Sequence, residues 1–120
     1  MPAVPSFILK KLYVKKSLKN VDDGFMAELK NVLADATITE PVKLTVDNRP
    51  VAPESIELTV EDKTIKSTEI SADNPIEFNL HTTVVVKVKG DPLPEGQHKL
   101  EFETKTKEYG GISFAIKDSV

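Results

Sequence analysis

Two histidines, His81 and His98, are the first place to look for chemistry in this sequence. Histidine titrates near neutral pH and is the commonest metal ligand. A catalytic zinc site takes three protein ligands. These two fall on different strands of opposite local parity, and no third ligand stands at a useful spacing. No metal site is expected. Asp22-Asp23-Gly24 and the run Asp91 to Glu95 offer loop oxygens, but neither follows the calcium-loop pattern. Turn formation accounts for both. Cysteine is absent, which removes thiol catalysis, thiolate metal sites and disulfides. Ser113 is not in a nucleophile elbow. Glu57 and Glu61 share one solvent-facing strand side, the pattern of a solvated face rather than a paired-carboxylate site. The glycines form neither a dinucleotide fingerprint nor a phosphate loop, so no cofactor is expected.

Charge is the stronger signal. Residues 1–21 hold five lysines and no acidic residue, while the rest of the chain is net acidic. Lys11, Tyr13, Lys15, Lys16 and Lys19 are the candidate contact residues for a partner. The alternative is an edge strand whose lysines guard against unwanted pairing. A nucleic-acid surface would interleave more aromatics with the lysines, and nucleic acid is not the expected partner.

These residues must be held by strands, because period-2 alternation dominates the chain. Phe7 to Val21 reads as one long strand, with Leu12, Val14 and Leu18 on one face and Lys11, Tyr13, Lys15 and Lys19 on the other. The Asp22-Asp23-Gly24 turn leads to a return strand carrying Phe25, Ala27 and Leu29. Alternation recurs at 42–46, 56–60, 76–80, 84–89, 99–107 and 112–116. Asp47-Asn48 and Tyr109-Gly110-Gly111 mark tight turns, and Pro50 and Pro53 confine their segment to an edge or loop. The expected fold is all-β: an antiparallel sandwich of about eight or nine strands, immunoglobulin-like or Greek-key, forming one domain over residues 1–120. Residues 1–6 are expected to be a loose tail. The expected core is Leu12, Val14, Leu29, Leu44, Val46, Ile56, Leu58, Phe78, Val84, Val86, Leu100, Phe102, Ile112 and Phe114.

Three segments carry a family likeness: SLKNVDDGF at 17–25, VKLTVDNRPVAPESIELTVEDKTI at 42–65 and KGDPLPEGQHKLEFETK at 89–105. In order and spacing they resemble the small, beta, subunit of the C-glycoside deglycosidases. The resemblance implies a sandwich that associates with a larger barrel subunit. Metal and main catalytic groups belong to that larger subunit, so no catalytic residue carries over to this chain.

The expected role is therefore a non-catalytic binding or accessory domain acting through a protein partner. Two alternatives stay open. One is a small subunit contributing to a carbohydrate-active or other enzyme complex, with His81, His98 and Tyr109 as contributors. The other is a self-associating structural protein. No enzyme activity is expected of the chain on its own. The opening MPAVPSFILKKLYV lacks the apolar run of a signal peptide, and no stretch approaches the ~20 apolar residues of a membrane helix. A soluble cytoplasmic protein with no membrane contact is the expectation.

Overall fold

A computed structural model describes residues 4–120. It is all-β, with two antiparallel sheets facing each other across one core. The strands are β1 (Lys19–Val21), β2 (Gly24–Lys30), β3 (Ala36–Ile38), β4 (Lys43–Val46), β5 (Arg49–Pro50), β6 (Ile56–Val60), β7 (Lys63–Lys66), β8 (Ile76–Phe78), β9 (Thr83–Lys89), β10 (Gln97–Thr106) and β11 (Gly110–Ser119). One sheet runs β1-β2-β9-β6-β7. The other runs β5-β4-β10-β3-β8, with β11 on the free side of β10.

The connectivity is immunoglobulin-like. β1, β2, β9 and β6 occupy the places of strands A, B, E and D, and β11, β10 and β4 those of G, F and C. The antiparallel β3–β8 pair is an addition that joins the far end of β10 at Thr106. The eleven strands among the described residues exceed the expected eight or nine because three are two- or three-residue edge segments: β1, β5 and β8.

Alternation sets which side chains face inward. Leu100 lies opposite both Val46 and Ile116, and Phe102 opposite both Leu44 and Phe114. In the facing sheet Val86 sits between Ala27 and Leu58, and Val88 between Phe25 and Ile56. Twelve of the fourteen expected core residues are buried; Val14 and Ile112 are half-buried. The turns follow local chemistry. Asp47 and Asn48 both take positive φ, +50° and +68°, the two-residue hairpin geometry that matches strand twist. Gly24 starts β2 so close to β9 that any Cβ would collide with the Val88 carbonyl oxygen.

The opening segment corrects two expectations. No single strand spans residues 7–21. Ser6–Leu9 forms one turn of α-helix (α1), and Lys10–Leu12 continues as a 3-10 turn. Tyr13 makes an isolated bridge to Leu29, and only Lys19–Val21 joins the sheet. The reason is spacing: Leu9, Leu12 and Tyr13 are three and one apart, which places them on one helical face, and all three are buried. The Tyr13 ring therefore packs into the core, and only its hydroxyl end reaches the lysine side. The Pro5 carbonyl accepts the Ile8 and Leu9 amides and starts the turn. Nor are residues 4–6 a loose tail, since Val4 packs against the core and Ser6 begins α1. Residues 1–3 of that expected tail lie outside the described residues.

Candidate functional site: a lysine-lined groove

The opening segment lies against β11, and the space between them is a groove of about 730 Å³. Lys10, Lys15 and Lys16 line it from one side. Lys99 of β10 and Lys117 of β11 line it from the other. Ala115, Ile116, Asp118 and Ser119 of β11 complete the lining. The lysine stems make much of its wall apolar while the ammonium groups reach water.

Local structure explains why the lysines gather. Val14 to Ser17 is a turn closed by the Ser17 amide donating to the Val14 carbonyl at 3.2 Å. Lys15 and Lys16 occupy its two corner positions and are exposed. Lys16 has φ +65°, a conformation more often given to Gly or Asn. The turn is fixed by Asp118. Its carboxylate accepts the Tyr13 hydroxyl at 2.6 Å and the Leu18 amide at 3.2 Å through one oxygen, and the Ser119 amide through the other. Burial alone would raise the Asp118 carboxyl. The hydrogen bonds from Tyr13 and from the Ser119, Leu18 and Lys16 amides outweigh it and hold the group below its ordinary value. Burial, and then the bond to Asp118, push the Tyr13 phenol well above its ordinary value. Asp118 is thus occupied from within. Lys10, Lys15, Lys16 and Lys117 have no carboxylate within 4.0 Å among the described residues, while Lys99 reaches Glu101 at 3.5 Å.

Of the five residues singled out in the sequence, Tyr13, Lys15 and Lys16 meet in the groove. Lys11 and Lys19 are exposed and lie outside it. Lys10, Lys99, Lys117 and Asp118 were not singled out. The last three lie about a hundred residues further on, and only strand pairing brings them to the opening segment. Their one local signal is the lysine content of the two last strands.

A second polar cluster sits beneath the loop between β9 and β10. His98 is 7% exposed. Its Nδ1 donates to Asp47 Oδ2 at 2.6 Å, and its Nε2 to the Pro94 carbonyl at 2.7 Å. Both ring nitrogens face acceptors, an arrangement that favours the doubly protonated imidazolium. The bond to Asp47, then that to Pro94, raise the His98 pKa against a smaller opposing effect of burial. His98, followed by the Lys99 amide, lowers that of Asp47. With both nitrogens hydrogen-bonded, His98 ties the β4–β5 turn to the proline-rich loop. His81 is exposed in the turn before β9. Tyr109 follows β10 and His98 stands near its start, so the strand separates them by about 27 Å. Among the described residues no three acidic or histidine side chains form a metal-holding group. No helix among them is long and apolar enough to cross a membrane.

An apolar cavity of about 190 Å³ lies at the other end of α1, lined by Val4, Ile8, Leu9, Leu33, Phe78 and Ile112 among others. Asn31 borders it with its polar atoms engaged. Its Nδ2 donates to the Ala34 and Phe78 carbonyls, both at 2.6 Å, and its Oδ1 accepts the Leu33 and Ala34 amides.

Comparison with known proteins corrects the family likeness drawn from the turn motifs. No curated protein matches the chain. The segments at 17–25, 42–65 and 89–105 that resemble the C-glycoside deglycosidase small subunit are the β1–β2 turn, the β4–β7 hairpins and the approach to β10. Such stretches are shaped by turn chemistry, which unrelated sandwiches share. The family model for the hydroxymethylglutaryl-CoA reductase N-terminal domain matches residues 8–120, nearly the whole chain, and it is to this family that the chain belongs.

Proposed function

We propose that this chain is a non-catalytic accessory domain that acts through a protein partner. The family name supplies the candidate: the catalytic part of a hydroxymethylglutaryl-CoA reductase. The observation that carries the reading is the lysine-lined groove beside β11, where four ammonium groups have no carboxylate within 4.0 Å among the described residues. Such a surface orients and accelerates the approach of an acidic partner more than it strengthens the final complex. The two histidines and Tyr109, the residues best suited to proton transfer, do not converge on this groove. The reading sets the domain in the cytoplasm, where a cysteine-free core loses nothing.

The test is recovery of the tagged chain from its native organism, with its mass in solution and the identity of what accompanies it. A stoichiometric hydroxymethylglutaryl-CoA reductase polypeptide, lost when Lys10, Lys15 and Lys16 are replaced by Glu, is the expected result. Recovery at the 13.2 kDa mass of one chain, or as a multiple of itself, counts against the reading.

A further inference from the structure

We propose that the groove receives an extended acidic segment of the partner, which adds to the sheet as a strand alongside β11. The proposal rests on the accessory-domain reading only in supposing that a partner exists. Its basis is an open sheet edge coinciding with unneutralised positive charge.

β11 pairs with β10 over all ten of its residues and with no other strand among the described residues. Among the described residues no backbone hydrogen bond joins residues 110–119 to the opening segment. α1 packs against β11 without a backbone hydrogen bond to it. Half of the backbone N–H and C=O groups of β11, those of the alternate residues that point away from β10, therefore have no strand partner among the described residues, as in any edge strand. The groove lies along residues 115–119, about 14 Å of strand. Residues of both parities line it: Gln97, Lys99, Ala115, Lys117 and Ser119 from the outer face, Ile116 and Asp118 from the inner. A cleft on one face of a sheet would be lined by one parity only. The two inner residues show that this cleft runs from the outer face over the free edge of β11, where an added strand would run.

Charge selects the occupant. Lysines at an edge repel most strands and so prevent indiscriminate pairing. The strand they admit is one that brings carboxylates. Alternate side chains of an added strand point the same way, so acidic residues at every second position would turn one charged row toward the lysines. Main-chain hydrogen bonds would supply affinity and the lysines specificity, as in other cases of strand addition.

Selection from a library of random peptides displayed against the whole chain tests this without knowledge of the natural partner. Enriched peptides are expected to carry Asp or Glu at alternating positions. They should shift the amide resonances of residues 115–119 and lose about tenfold or more in affinity against the Lys10→Glu, Lys15→Glu, Lys16→Glu chain. Methylating alternate backbone amides of such a peptide should abolish binding, because it removes the ladder while keeping the charge. The proposal is overturned if no acidic pattern is enriched, or if affinity survives the triple substitution. It is equally overturned if methylated peptides and inorganic tripolyphosphate bind as well as the parent peptide, which would make the groove a simple anion site. Peptide binding by a chain recovered alone from its organism would keep the groove and remove the accessory-domain reading. A reductase complex without peptide binding would do the reverse.

Discussion

The Tyr13 hydroxyl donates a 2.6 Å hydrogen bond to Asp118, joining the opening segment to the last strand across 105 residues of sequence. The ring of Tyr13 also packs on Phe102, with centroids 6.2 Å apart, and Phe102 stacks on Phe114 at 5.4 Å. One side chain thus anchors the lysine-bearing turn to the core and to the groove wall.

Tyr13→Phe keeps the ring and deletes the bond. A hydrogen bond to a charged group contributes about 1.5–3 kcal/mol. Urea unfolding should show a loss in that range. Amide exchange should rise at residues 14–18 before it rises in β2 or β9, since those strands keep their own ladder.

The Asp47–His98 pair makes stability depend on pH from both sides. The folded His98 pKa is raised above its ordinary 6.5, so its contribution is complete below that value and is lost as pH rises through the folded value. Asp47 is lowered from 3.8, so its contribution is complete above that value and is lost as pH falls through the folded value. Thermal midpoints measured against pH should peak between the two. In His98→Gln the alkaline decline should flatten. An imidazole nitrogen spectrum of the native chain at pH 6.5 should show both ring nitrogens protonated, and one bare nitrogen there would refute the assignment.

Gly24 meets the Val88 carbonyl where a side chain would begin. Gly24→Ala forces β2 and β9 apart at the end of their ladder and should cost well over 1 kcal/mol in denaturant unfolding. Ala at Gly111, where a Cβ would meet nothing within 4 Å, should cost far less.

Lys16 holds a left-handed conformation that costs a non-glycine residue about 1–2 kcal/mol. Lys16→Gly should leave the midpoint of unfolding unchanged or raise it by up to about 1 kcal/mol in stability, because glycine's greater freedom when unfolded offsets part of the relief. The same variant should weaken capture of an acidic partner. Gain in stability with loss of binding would show that the lysine is kept for its charge.

The strands of the two sheets were legible because each keeps one face in the core, and a half-buried strand must alternate. Leu100 and Phe102, Val84 and Val86, and Leu44 and Val46 could be placed inward from the sequence for that reason alone. The Asp47-Asn48 turn was legible because few dipeptides accept two positive φ angles in succession. The opening segment was misread because Leu12 and Val14 alternate as a strand does, while Leu9, Leu12 and Tyr13 repeat as a helix does. Local pattern does not choose between them. Burial against Phe102 and the bond to Asp118 chose, and both partners lie about ninety to a hundred residues away. The groove was half visible for the same reason. Lys15 and Lys16 stand together in the sequence, but Lys99 and Lys117 join them only through the β10–β11 hairpin folding back beside the opening segment. Residue type and spacing determined the sheets and their turns; long-range packing decided which lysines share a surface.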